Sequence, residues 1–388
     1  MNRIIPTSIL VFLFAASLSG QSLNKDALDA IIAGSERTNA DALIILKDGE
    51  VAYKNYFGKP DQKIEAMSAT KSIVGLAVGL LIDHGFLKDV DQPVSSLYPE
   101  WKQGRKRDIT VRQLLEHTSG LQNVPNAGTE VEVAPDVVQL ALAAELESEP
   151  GKVFSYNNKA TNLLAGVVEK ASGMKLDEFL RRYLFNEIGI TDVAWRKDKS
   201  GNPQGMAGLQ IRPEDLAKIG QLILNNGKWS GKQVISADWL TASFSPTALS
   251  TESGRLWWLM YEKQYMVVDD GFLAKVKPKT DDATFALLAR MKGRYEGFDK
   301  LQSHLRMSYT PEEMPAVAKA LASTSPSEMR IENEGEVVGY AAVGYLGQFL
   351  IVLPKKKIVV VKMITAESFR QVPNNSDFTL LRRLAKEL

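Results

Sequence analysis

The chain has 388 residues, 45% of them hydrophobic, with 47 basic and 46 acidic side chains, three histidines and no cysteine. That length and apolar share suffice for a large core or for two lobes sharing one, and the balanced charge excludes the electrostatic footprint of a nucleic-acid binder. Without cysteine there are no disulfides, thiolate zinc sites, Fe–S clusters or cysteine nucleophiles; with His84, His117 and His304 in no common motif, neither a metal site nor a cofactor is expected.

Residues 1–20 have the pattern of a Sec-type signal peptide: Arg3, an apolar run from Ile9 to Leu18, then small residues at Ser17-Leu18-Ser19-Gly20. The apolar run is short for a membrane span. The expectation is a periplasmic or secreted protein without stable membrane insertion after signal cleavage. A short helix follows over Leu23 to Gly34. Two β-type runs, Ala42 to Leu46 and Val51 to Phe57, then flank Lys47-Asp48-Gly49-Glu50, which is a hairpin signal.

Met67-Ser68-Ala69-Thr70-Lys71 leads into Ser72 to Ile82, a run apolar on nearly every side and therefore expected as a buried helix. Further on, Ile109 to Leu115 predicts a short helix capped by Thr110, and Val137 to Leu146 another. Ala160 to Glu169 predicts a helix closed by Ser172-Gly173, and Leu176 to Leu184 one more. Arg212-Pro213 starts a helix that stops at Asn226-Gly227. β character resumes at Trp257-Trp258-Leu259. Within the charged, irregular stretch 261–338, Gly271 to Val276 and Phe285 to Met291 look strand-like, and Thr310-Pro311-Glu312-Glu313 signals a helix. Three β runs (Val337 to Val343, Gln348 to Leu353, Ile358 to Thr365) precede a terminal helix capped by Ser376-Asp377. Strands at both ends around a helix-rich middle imply an α+β architecture. The division is an α/β lobe from about 22–65 and 205–388, a helical lobe over about 66–204, and an extra insertion over about 261–338.

Ser68 and Lys71 lie one helical turn apart and so share a face at the mouth of the buried helix. Serine needs a base beside it to act as a nucleophile. Burial and the helix N-terminus both disfavour a charged ammonium, which fits Lys71 for that part, and the N–H groups of the helix start can hold an oxyanion. Ser-x-x-Lys is a weak pattern by itself and also occurs as Ser22/Lys25 and Ser172/Lys175. Its structural alternative is an N-cap serine beside a snorkelling lysine. No Gly-x-Ser-x-Gly occurs, which argues against an α/β-hydrolase.

Met67-Ser68-Ala69-Thr70-Lys71-Ser72 with its apolar helix and Asp89 to Val94, followed in order by Ile109 to Leu121, Glu149 to Asn158, Leu209 to Lys218 and Leu222 to Trp229, resembles the β-lactamase-like serine hydrolases. That superfamily takes in class C β-lactamases, DD-peptidases, esterases and nylon-oligomer hydrolases. The resemblance implies an antiparallel sheet flanked by terminal helices plus a mostly helical lobe. It also implies Ser68 as nucleophile, Lys71 as its proton partner, and Tyr156 as a phenol shuttling protons to the leaving group. Asn158 would orient the lysine and the substrate. The family's third motif, on a strand lining the site, matches Ala342-Val343-Gly344; Gly344 and Tyr345 would border the substrate, with the Tyr345 N–H as second oxyanion donor. Ala342 stands where the family has a cation, so the usual anchor for the carboxylate of penicillins and D-Ala-D-Ala peptides is missing. An ester or linear amide is the expected small-molecule substrate. A non-catalytic sensor of the same fold, and an acyltransferase or D-peptidase on the same site, are the rival readings. His117 is expected in a structural loop, Trp257 and Trp258 in core or pocket wall, and 261–338 either as a wall or lid over the site or as an edge decoration.

Overall fold

The computed structural model describes residues 23–388 except 125, 323–328 and 373–377; the leader expected at 1–20 and the cap expected at Ser376-Asp377 lie outside the described residues. Ala42–Lys47 (β1) and Glu50–Asn55 (β2) form the expected hairpin. Asp48 and Gly49 both take positive φ at its tip (52° and 88°), the geometry an Asp-Gly turn supplies. β1 is then joined by strands from the far end of the chain. These are Trp258–Val268 (β3), Gly293–Glu296 (β4), Arg330–Gly344 (β5), Gln348–Leu353 (β6) and Ile358–Met363 (β7), in the order β2-β1-β7-β6-β5-β3-β4, with every pair antiparallel.

β6 and β7 are buried along their whole length, so each alternate side chain enters a different core. Leu43, Ile45, Phe349, Ile351 and Val360 point toward Lys25–Arg37 (α1) and the terminal helix. Ile44, Leu350, Val352, Val359 and Val361 point to the opposite face. There lie Thr70–Asp83 (α2) and, later in the chain, Asn158–Ser172 (α3) and Pro213–Leu224 (α4), while Phe378–Glu387 (α5) closes the first face beside α1. Gly220 lets α4 settle on the sheet, since a Cβ there would lie 2.5 Å from Val359 Cγ1. Every residue of α2 from Thr70 to Leu81 is buried, as its all-round apolar sequence requires. α3 packs against α2 and ends on Gly173 at φ 74°. Thr110 and Gln113 form a reciprocal capping box at Val111–Leu115.

Two expectations fail between β3 and β5. The stretches Gly271 to Val276 and Phe285 to Met291 are not strands; helices run over Asp270–Val276 and Asp282–Ala289. Asp269 and Asp281 cap them by accepting from the Phe272 and Thr284 N–H groups, and local capping chemistry outweighs β propensity. Their apolar residues join Met291, Leu301 and Val317 in a core of their own, separate from the two cores on the sheet. The flanks of the stretch form a ribbon instead: Tyr340 pairs with Leu259 and Glu332 with Tyr265, so β3 and β5 carry the sheet outward. Thr310 and Glu313 bond reciprocally ahead of Met314–Ala322, as their spacing predicts.

Candidate active site

The turn Met67–Ala69 delivers Ser68 to the start of α2. Met67 holds φ at 48°, a left-handed conformation that costs a non-glycine residue and persists only where surrounding packing enforces it. Ser68 is half-buried and Lys71 buried. One helical turn brings Lys71 Nζ to 3.1 Å from Ser68 Oγ. The same nitrogen donates to the Met206 carbonyl at 2.6 Å. Met206 is fixed in turn, because its N–H donates at 2.9 Å to Oδ1 of Asn162, buried in α3. Lys71 Nζ donates to Ser68 Oγ and to the Met206 carbonyl together, which holds the amine within proton-transfer reach of the hydroxyl.

Tyr156 stands across from them, with Lys71 Nζ 4.9 Å from the centre of its ring. His117 positions this segment. It sits at φ 55°, its carbonyl accepts the Ser155 N–H at 2.8 Å, and its Nδ1 accepts the Asn157 N–H at 3.1 Å. The ring lies 4.8 Å from that of Tyr156. Complete burial, and then the nearby Lys71 charge, push the imidazole pKa down to about 3. A neutral ring that accepts a backbone N–H holds a loop in place, as the sequence reading expects. Asn157, not Asn158, caps α3, accepting from Ala160 N–H at 2.9 Å and donating to the Leu121 carbonyl at 2.6 Å. Asn158 opens the helix half-buried. The orienting contact on Lys71 comes from Met206.

Gly344 ends β5 against the turn that bears Ser68: a Cβ there would lie 2.3 Å from the Ala66 carbonyl oxygen and 3.1 Å from Met67 Cβ. Only a glycine permits that approach. Tyr345 begins the next turn with its side chain largely in solvent. Ala342 is fully buried on the α2 side of the sheet, while Val343 lines the pocket around Ser68. Among the described residues lining that narrow pocket, Lys71 is the single cation.

Sequence reasoning missed Met206 because it acts through a backbone carbonyl, which leaves no mark on side-chain chemistry. Asn162 left a faint one, a polar residue on the buried face of an apolar helix. Trp257 is core, whereas Trp258 stacks on Tyr156 at 6.1 Å and 19°. Ser72 pins the segment before it by donating to the Leu256 carbonyl at 2.6 Å. Of the other Ser-x-x-Lys copies, Ser22 lies outside the described residues. Ser172 bonds back to the Val168 carbonyl while Lys175 pairs with Glu169.

The chain matches the family described as Beta-lactamase over residues 28–382. It is 27% identical over 225 residues to 6-aminohexanoate-dimer hydrolase of Paenarthrobacter ureafaciens, covering 53% of this chain and 57% of that protein. Protein flp of Staphylococcus aureus (strain MRSA252) is 24% identical over 191 residues, 44% of this chain and 38% of its own. The chain thus spans about half the length of such relatives. Among solved structures, the class C beta lactamase from Rhodobacter sphaeroides superposes with TM-score 0.56 at 16% identity, covering 94% of this chain and 98% of its own. The octameric penicillin-binding protein homologue from Pyrococcus abyssi does so with TM-score 0.57 at 17% identity, covering 88% and 73%.

Proposed function

The chain belongs to the beta-lactamase family, and from that premise we propose that it is an exported serine hydrolase cleaving an ester or linear amide through an acyl-enzyme on Ser68. The observation that carries this reading is the Lys71 nitrogen 3.1 Å from Ser68 Oγ, buried and steered by the Met206 carbonyl. Lys71 takes the hydroxyl proton as Ser68 Oγ adds to the substrate carbonyl. The Ser68 and Tyr345 backbone N–H groups receive the oxyanion. On collapse the bond to the leaving group breaks and that group takes up a proton by way of Tyr156. Water then adds to the ester at Ser68, returning its proton through Lys71 and releasing the acid. No step calls for a metal or cofactor.

Ala342 in place of a cation, and Lys71 as the one cation lining the Ser68 pocket among the described residues, favour an ester or linear amide over a penicillin. The relative named 6-aminohexanoate-dimer hydrolase, whose name refers to a dimer of an amino acid, supports an amide. A panel of p-nitrophenyl esters, linear amides, D-amino-acid amides and a chromogenic cephalosporin tests the reading. Intact-mass detection of an acyl adduct that disappears in Ser68→Ala supports it. Undiminished hydrolysis by Ser68→Ala overturns the nucleophile, and turnover dominated by the cephalosporin overturns the substrate class. Export through residues 1–20 predicts a shortened mature chain in the periplasm or medium; a full-length chain confined to the cytoplasm refutes it.

A further inference from the structure

A second, much larger space opens behind Tyr156. It has a volume of about 610 Å³, within the range of pockets that enclose small-molecule ligands. Tyr156 and Trp258 line both this cavity and the Ser68 pocket, so the two spaces share a wall. Met260, Met266 and Ile331 continue an apolar lining along the β3–β5 ribbon, and Glu296 and Gly297 close it from the stretch between those strands. An extended hydrocarbon chain fits such walls.

The far end is polar. α5 presents Arg382, Arg383 and, one turn on, Lys386 to the cavity, which Glu252 also lines. Arg382 donates from Nη2 to the Leu259 carbonyl at 3.0 Å and reaches Gln264 Oε1 at 3.5 Å. Its Nε is buried and has no hydrogen-bond partner among the described residues. Lys386 donates to the Tyr261 and Glu262 carbonyls, each at 2.9 Å. Glu252 acts on Arg382 through space, while its own burial raises its pKa, against the pull of that cation. A buried guanidinium served by two uncharged acceptors retains donors suited to a carboxylate. Its desolvation cost is already incurred in the folded state, so an arriving anion gains a charge-assisted bond.

We propose that this cavity holds the leaving-group half of the substrate, a flexible aliphatic chain that ends in a carboxylate received by Arg382. The assignment rests on the reading of Ser68 and Tyr156 given above, since Tyr156 is where the leaving group takes its proton. It moves the substrate's anionic anchor from the strand position occupied by Ala342 to the terminal helix, on the other side of Tyr156. The stretch between β3 and β5 then serves recognition, as a wall.

Two thioesters test it: S-acetyl-6-mercaptohexanoate and S-acetyl-hexanethiol, alike in chain length and differing in the terminal carboxylate. The native enzyme should prefer the carboxylated one in kcat/KM by about 10- to 100-fold, and Arg382→Met should bring that ratio close to one. No preference in the native enzyme, or a ratio unchanged in Arg382→Met, overturns the proposal. Calorimetry of hexanoate and hexylamine with Ser68→Ala gives a reading independent of turnover and of how Arg382→Met folds. Hexanoate should bind and weaken with added salt, and hexylamine should not; equal binding of the two, or binding of neither, overturns the proposal. If Ser68→Ala still hydrolyses esters, the nucleophile assignment falls while the hexanoate result stands or fails separately.

Discussion

The Ser68 pocket and the cavity behind Tyr156 adjoin each other yet are built on opposite rules. The first is narrow, and nearly every group in it is held by another: Lys71 by Met206, Met206 by Asn162, and the Tyr156 segment by His117 and Asn157. The second is roomy, mainly apolar along the β3–β5 ribbon, and ends among charged groups that include Arg382, whose Nε has no hydrogen-bond partner among the described residues. Chemistry demands positions fixed to a fraction of an ångström. Recognition of a flexible chain demands space and one or two well-placed charges. A wall shared through Tyr156 and Trp258 lets one substrate meet both demands.

The sharpest way to break the comparison is at the nucleophile. Ser68→Ala should lower p-nitrophenyl acetate turnover by roughly 10⁴-fold or more and abolish fluorophosphonate labelling, while hexanoate binding in the neighbouring cavity persists. Lys71→Met and Tyr156→Phe should each slow acylation by about 10²- to 10⁴-fold, measured as single-turnover rates. Leu288 is fully buried in the core between β3 and β5. Leu288→Ala should cost about 2–5 kcal/mol in denaturant unfolding of that region and weaken hexanoate binding more than it slows small-ester turnover. A drop confined to small-ester turnover would contradict a division between the two spaces. Gly344→Val puts a side chain into the Ala66 carbonyl and so displaces the turn that carries Ser68. A shift of that size predicts a loss of about 10²-fold in kcat, with hexanoate binding retained.

The smallest effect is in pH. His117 has its folded pKa depressed to about 3 by burial and by Lys71, against about 6.5 unfolded. Between those values the unfolded chain binds the extra proton, so stability is full above pH 6.5 and falls as pH drops toward 3. The slope is at most about 1.4 kcal/mol per pH unit. Chemical denaturation at pH 7 and pH 5 measures it, and His117→Asn should flatten the dependence; an unchanged slope in that variant would remove His117 as its source.

Much of this molecule was legible before any coordinates. The all-apolar run after Lys71 could only be a buried helix, and the Asp48-Gly49 turn could only join adjacent strands. Motif order from Ser68 through Tyr156 to Gly344 identified the family, since each block needs particular residue types at short range. The misreadings sit where short-range signals conflict. At 271–276 and 285–291 apolar residues suggested strands, but aspartate caps and a separate local core made helices.

Local sequence thus determined the core helix and the pairing of Ser68 with Lys71, because each depends on residues within a few positions of one another, and the order of such short blocks along the chain determined the fold class. Only the tertiary structure decided what surrounds them. Met206 lies 135 residues from Lys71 in sequence and acts through a carbonyl that any residue possesses. Arg382 meets Leu259 across 123 residues, from a helix with no catalytic motif. Such contacts are set by how the sheet closes and where its ends bring distant chain together, and no short-range pattern encodes that.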